Sequence, residues 1–440
     1  MTSPDPAVLE IVKNTLLITY EEALAMVIEA SHPLESEALP LARCSGRVLA
    51  FDLICPMDLP RFDNSAVDGY AICQPDLEAL NATQEIELQI ARTIAAGDEP
   101  GQPLKSGETV RIFTGAKTPE NVAAIVMQED VHERPAAFDK SVRPSANGPK
   151  VSIRAPIKPG QHIRRKGEEF RSGERGLPKS APLNPAGIAF AATLGYAELP
   201  VHRLPRTAIV TTGAELVAPG QALDASQIYE SNSFGLAAAL NAIGMSPVHL
   251  QTVGDDAAQT LSAVRSALEV CDVLITTGGV SVGAFDVVKD AFAECGVEKV
   301  FWSVAIKPGR PIYFGLRVSS SGARQAVFGL PGNPLSVLAT FHMFARPYIL
   351  ASAGHANPEP RRLKAILTGS VQHKVGRKEF VPAILENDSG DFTVHPVTGQ
   401  GSHMLGGLAI SNSLIEVPSG ISEYQCGESV WVVAYEQVAP

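Results

Sequence analysis

Between Arg206 and Ala353 three short runs, RTAIVTTG, PVHLQTVG and DVLITTGG, are rich in β-branched residues and almost unbroken in apolar character. Strands buried on both faces have that pattern, whereas a strand with one wet face alternates. The segments between them, SFGLAAALNAIG and DAAQTLSAVRSALEV, carry apolar residues at helical spacing. Buried strands alternating with helices specify a parallel sheet wrapped by helices. Ligands of such sheets sit at the carboxyl ends of the strands, so the residues just after TT and TTGG are where chemistry is sought.

The chain of 440 residues is too long for one hydrophobic core, and two to four domains are expected. An amphipathic helix is predicted from about Tyr20 to Ser31, because Thr19 and Glu22 have capping-box spacing and Ala23, Leu24, Val27 and Ile28 share a face. From Cys55 to about Arg164, short apolar runs such as EIELQIARTI, TVRIFTG and AAIVMQED lie between Gly and Pro, which predicts an inserted β-rich module. PAGIAFAATLGY then reads as a helix and HRLPR as a linker, with a boundary near Pro205. After Pro358, five alternating runs from RRLKAILTG to SVWVVAY predict a small β-barrel or sandwich.

A net charge of -11 argues against a general nucleic-acid or membrane-surface binder, so positive charge for any anionic ligand has to be local. The six cysteines form no C-x-x-C pair and read as reduced thiols of a cytoplasmic protein. The opening MTSPDPAVLE lacks a basic region and a long apolar run, and no uncharged apolar stretch approaches the ~20 residues of a membrane span.

The segment TTGGVSVGAFD places Gly278, Gly279 and Ser281 directly after a buried strand, where backbone N–H groups either bind phosphate or merely close a tight turn. AIKPGRP adds the cations Lys307 and Arg310, and GLPGNPLS adds Pro331, Gly332 and Asn333 at another strand end. Two such loops with two cations describe a pocket for an extended anion better than a pair of turns. Glu215, Asp255 and Asp286 follow strands of the same sheet, and three clustered carboxylates call for an offsetting cation, with Mg²⁺ the economical choice. Helix capping is the competing role for Asp255 and Asp286. PRFDNSAVDGYAI holds Asp68, IRRKGEEF holds Arg164 and RIFTGA holds Thr114; a turn, a solvated basic face and a capping hydroxyl are their plainer readings.

In order and spacing, PRFDNSAVDGYA, RIFTGA, IRRKGEE, IVTTGAEL, QIYESN, TTGGVSVG, AIKPGRP and GLPGNP resemble the molybdopterin molybdenumtransferase family over nearly the whole chain. The resemblance implies a multi-domain α/β plus β fold: a discontinuous linking domain (1–54 and 166–205), an inserted β-rich domain (55–165), an α/β three-layer sheet domain similar to molybdopterin adenylyltransferase (206–353) and a C-terminal β-barrel (354–440). It also implies a homodimer, with molybdopterin adenylyltransferase and molybdoenzyme chaperones as partners. The implied reaction is Mg²⁺- and molybdate-dependent release of AMP from adenylylated molybdopterin. Carried over position by position, the family's sites fall on Asp68, Thr114, Arg164, Glu215, Asp255, Asp286 and Lys307.

The expected roles are phosphate binding by Lys307 and Arg310, hydrogen-bond donation by Gly278, Gly279 and Ser281, and metal positioning by Glu215, Asp255 and Asp286. With functional motifs in both the inserted module and the sheet domain, each site is expected to be shared between two copies, Asp68 and Thr114 facing the partner's sheet loops. Three positions depart from the family: Ala214 stands where Asp is usual, Ser303 where Lys is common and Glu169 where Asp is frequent. The competing functions are a molybdopterin-binding scaffold, as in the gephyrin E domain, and the preceding adenylylation step.

Overall fold

The computed structural model describes residues 17–131, 149–279, 287–388, 390–397 and 404–435. The chain forms two compact units, one of residues 51–179 and 185–197 and a larger one of residues 1–50, 180–184 and 198–440.

In the larger unit the runs that opened the sequence reading become neighbouring strands of a six-stranded sheet, ordered Pro247–Val253, Thr207–Thr212, Val273–Thr277, Arg324–Leu330, Tyr313–Val318, Glu298–Trp302. The first four are parallel, as expected, and the last two are antiparallel to their neighbours. The connection between Val318 and Arg324 is too short for a crossover, and a short connection joins strands only as a hairpin. Thr207–Thr212 and Val273–Thr277 are buried at every residue because helices cover both faces. Ala208 and Val210 pack with Val264, Leu268 and Phe292 on one side, while Ile209, between them, packs with Leu236, Leu335 and Ile349 on the other. The three layers are thus written into single strands, residue by residue.

Helix Tyr20–Ala30 starts at the predicted capping box: the Glu22 N–H donates to Thr19 Oγ1 at 3.2 Å and the Thr19 N–H to Glu22 Oε2 at 2.8 Å. Its Tyr20, Ala23 and Val27 join the sheet core together with Phe380, Leu414 and Val433 from the C-terminal strands. Those strands close on themselves. Lys378–Asp388 pairs with both Asp391–Pro396 and Ser413–Val417, and the ring runs on through Ser429–Ala434 and Arg361–Leu367, so the choice between barrel and sandwich falls to the barrel. The short strand Ile306–Lys307 adds to it in parallel, pairing Lys307 with Glu379.

The segment predicted as a linker is pinned at both arginines. Asp272, its side chain 8% exposed, accepts from Arg203 Nη1 at 2.7 Å and from the Arg206 N–H at 2.7 Å. Farther along, the chain makes a π turn at Phe341–Ala345, with the Arg346 N–H bonded to the Phe341 carbonyl. Pro347 follows it; lacking an N–H and crowding the carbonyl four residues back, it disfavours a regular α turn there.

The smaller unit holds a five-stranded sheet, ordered Val122–Met127, Gly69–Cys73, Glu108–Ile112, Glu85–Ile94, Lys150–Arg154, with apolar clusters on both faces. It also contains a helix that the β-rich reading did not foresee, Gln74–Thr83, which buries Leu77 and Leu80. Helix Pro185–Thr193 forms where its periodicity predicts. No helix among the described residues is long and apolar enough to cross a membrane.

Candidate active site

The loops at the carboxyl ends of the parallel strands come together. The Gly278 N–H donates to the Leu330 carbonyl, and a Cβ on Gly332 would meet Gly278 Cα at 3.8 Å, so TTGG and GLPGN lie against one another. Gly278 has φ +84° and Gly279 +63°, and a Cβ on Gly278 would sit 2.5 Å from the Thr212 carbonyl oxygen. Only glycine fits this approach. Asn232, at the start of helix Asn232–Ala242, donates to the Gly332 carbonyl at 2.9 Å while its own Oδ1 is buried with no partner among the described residues. An orphaned acceptor at converging loops is a point for a ligand donor.

Beside these loops a cavity of about 560 Å³ is lined by Lys307, Arg310, Pro331, Asn333, Ser336, Arg377 and Glu379, among others. Three of these side chains are cationic and one is a carboxylate, which gives the local positive charge that a chain of -11 has to concentrate. Lys307 Nζ lies 2.6 Å from Glu379 Oε1, and the other oxygen of Glu379 meets His373 Nδ1 at 2.6 Å. The carboxylate side chain is 4% exposed, so it holds Lys307 from beneath while Arg310 projects into solvent. Gly309, with φ +94°, packs against Thr340 and sets the spacing of the two cations.

At the opposite side of the strand ends, Asp255 Oδ2 accepts from the Ala214 N–H at 3.3 Å. The helix cap is supplied by its neighbour: Asp256 Oδ1 accepts from the Gln259 N–H at 2.8 Å, which removes capping as the role of Asp255. Both carboxylate oxygens of Glu215 fold back toward Gly213, about 3 Å from where a Cβ there would be. Asp255 thus reaches the turn that carries Glu215, and both acids offer oxygen donors, the kind a hard divalent ion prefers. Among the described residues no group of three or more His, Cys, Asp or Glu comes together for a metal. Asp286 and Ser281 lie outside the described residues.

In the smaller unit Asp68 and Thr114 form one station. The Thr114 N–H and hydroxyl both donate to Asp68 Oδ1 at 2.8 Å, and with the Arg111 charge nearby they hold the Asp68 carboxyl below its usual range. Of the basic trio, Arg165 is bound to Asp63 at 2.6 Å and Lys166 to Asp58 at 3.2 Å. Arg164 is exposed and makes no ion pair among the described residues, which singles it out from its neighbours. Glu169 donates its backbone N–H to the Leu59 carbonyl. Ser303 is buried at φ +71° with its N–H on the Ile312 carbonyl.

Sequence reasoning missed Ser336, Arg377, Glu379 and His373. Ser336 lay inside the quoted GLPGNPLS, but the other three belong to HKVGRKEF in a segment read only as barrel. The basic and acidic residues of GRKEF opening a strand were the available signal.

Comparison with known proteins covers nearly the whole chain. Residues 18–195 match the MoeA N-terminal region (domain I and II), residues 208–351 the probable molybdopterin binding domain, and residues 364–435 the MoeA C-terminal region (domain IV). The chain is 37% identical over 420 residues to molybdopterin molybdenumtransferase 2 of Mycobacterium tuberculosis, covering 94% of this chain and 98% of that protein. It is 33% identical over 426 residues to the molybdopterin molybdenumtransferase of Haemophilus influenzae, covering 96% and 100%. The crystal structure of the molybdopterin biosynthesis MoeA protein from Pyrococcus horikoshii OT3 superposes with a TM-score of 0.77 at 29% identity, covering 96% of this chain and all of that one. With its strand-end loops, cationic cavity and closed barrel, the chain belongs to the molybdopterin molybdenumtransferase family.

Proposed function

We propose that the protein inserts molybdate into adenylylated molybdopterin with release of AMP, giving molybdenum cofactor. The observation that carries this reading is the cavity in which Lys307, Arg310 and Arg377 surround space for anionic oxygens beside the Gly278–Gly279 and Pro331–Asn333 loops. Both substrates are anions, and the phosphoanhydride is already activated, so positioning and charge stabilisation suffice without a covalent nucleophile. In this reading Lys307 and Arg310 hold oxyanion groups, while the loop glycines, Ser281 and Asn333 contact the pterin or its phosphate. Glu215, Asp255 and Asp286 would hold Mg²⁺, which would supply neutralisation of phosphate charge.

The same reading makes the protein a cytoplasmic homodimer of four domains, divided after residues 54, 165, 205 and 353. The six unpaired cysteines are in keeping with a reducing compartment. Asp68 and Thr114 of one copy face the strand-end loops of the other, and Arg164 binds substrate. Molybdopterin adenylyltransferase supplies the substrate, and molybdoenzyme chaperones take the product.

Purified protein given adenylylated molybdopterin, Mg²⁺ and molybdate is expected to release AMP in a molybdate-dependent manner. Release no faster than in a protein-free control overturns the proposal. Mixing inactive Asp68→Ala and Asp286→Ala chains tests the shared site: activity returns in the heterodimer if one site collects both lesions, and a verified heterodimer without activity refutes sharing.

A further inference from the structure

A second and larger cavity, about 1030 Å³, lies elsewhere in the larger unit and has no part in the proposed reaction. Its lining combines unpartnered polar nitrogens with aromatic rings. Arg346 lines it half-buried, and its guanidinium makes no hydrogen bond or ion pair among the described residues; burial alone lowers its affinity for a proton. His342 Nδ1 and Arg47 Nε are buried without a partner among the described residues, and both residues line the same space.

The arginines are not equivalent. Arg47 already spends its Nη2 on Glu37 at 2.6 Å and on the His202 carbonyl at 2.7 Å, leaving Nε over. The Arg346 guanidinium is uncommitted among the described residues. The π turn at Phe341–Ala345 puts His342 and Arg346 on the cavity wall together, and such turns recur at functional sites because they re-aim side chains. Glu359 is the one carboxylate among the lining residues, set against Arg47, Arg346 and Arg361.

The aromatic side of the cavity is fixed in place. Tyr435 stacks on His342 with ring centroids 4.7 Å apart, and its hydroxyl is tied to Ser411. Phe392 lines the same space. Unpaired guanidinium N–H groups favour an oxyanion with several acceptor oxygens, and stacked rings favour a flat apolar body. The volume exceeds what an inorganic ion needs and lies at the upper end for small-molecule sites.

We propose that this cavity is a second ligand site, which binds a phosphorylated aromatic compound with its phosphate on Arg346 and its ring system against Tyr435 and Phe392. The inference is independent of the proposed reaction, since it uses none of the strand-end residues.

The test uses 1-naphthyl phosphate as probe, followed by its own fluorescence and by calorimetry on the full-length protein. Saturable binding of one probe per chain is expected, weakened about tenfold or more by Arg346→Gln, as the loss of a charge-assisted contact predicts. Because Arg346→Gln alters a packed helix, Ala242→Trp provides a second variant: Ala242 is exposed on the cavity rim, and the added ring obstructs entry with little burden on the core. Both are first checked for unchanged thermal unfolding. Lys307→Ala is expected to leave probe binding intact. No saturable binding up to about 5 mM overturns the proposal, that limit being where small-ligand association becomes negligible. So does binding that is lost in Lys307→Ala but survives both cavity variants, which assigns the probe to the strand-end cavity.

Discussion

Replacing Gly309 by Ala tests whether the spacing of Lys307 and Arg310 is held by backbone conformation and one methyl group. Gly309 sits at φ +94°, where any other L-residue is strained by about 1–3 kcal/mol. The new Cβ would lie 2.2 Å from Thr340 Cγ2, against a comfortable carbon–carbon distance of about 3.5–4.0 Å. Thr340 has nowhere to turn: it is 0% exposed, and its hydroxyl donates to the Ser336 carbonyl at 2.7 Å and the Val337 carbonyl at 3.1 Å. Overpacking at such a site costs about 1–3 kcal/mol, so the variant is expected to lose roughly 2–6 kcal/mol in all. Thr340→Ser removes the offending methyl and keeps the hydroxyl, so in the double variant the steric part, about 1–3 kcal/mol, returns while the φ strain stays. Both tryptophans, Trp302 and Trp431, belong to the larger unit, so tryptophan fluorescence in urea follows that unit alone. Molybdate-dependent AMP release is measured on the same proteins, and should fall in Gly309→Ala and partly recover in the double variant. Additivity of the two substitutions within about 0.5 kcal/mol, or a loss below about 1 kcal/mol in the single variant, refutes the reasoning.

Lys307→Ala is expected to weaken binding of adenylylated molybdopterin by about 1.5–3 kcal/mol, roughly ten- to a hundredfold, and calorimetry showing unchanged affinity rejects its role. Asp272→Ala removes the nearly buried acceptor of Arg203 and of the Arg206 N–H, though Arg203 keeps Glu35 and Arg206 is half exposed, and should cost about 1–3 kcal/mol in urea unfolding, a loss that an unaltered midpoint would disprove. His342 is held down to about 3 by burial, with the Arg346 charge adding to it, against an ordinary value of 6.5. The unfolded chain therefore takes up a proton below pH 6.5 that the folded protein refuses, and stability falls with pH at up to about 1.4 kcal/mol per unit. His342→Leu should flatten this loss between pH 7 and 5, and equal pH dependence in both proteins argues against a neutral buried imidazole.

The sheet was legible because burial on two faces leaves an unbroken apolar record, and TAIVTT and VLITT are buried at every position. The capping box at Thr19 and Glu22 was legible because it is a purely local contact. Helix Gln74–Thr83 was not, since a short helix with few apolar residues draws its stability from packing of Leu77 and Leu80 rather than from its own pattern. The strand-end half of the site followed from glycine spacing. Its floor did not: Glu379 reaches Lys307 across more than seventy residues of sequence, through a strand pairing that no local pattern records. Asp255 and Asp256 show the limit of one-residue assignments, because adjacent acids are alike as letters and only the folded turn shows which one caps the helix.

Closure of the barrel makes the chain unforgiving of any truncation before strand Ser429–Ala434. Strand Ser429–Ala434 is the segment that bridges Arg361–Leu367 and Ser413–Val417, so a stop codon just before it leaves two raw strand edges. The damage does not stay local, because Lys378–Asp388 in the same ring supplies Glu379 to Lys307. Late nonsense and frameshift alleles are therefore expected to behave as nulls rather than as mild truncations, even though the whole α/β sheet has been translated by then.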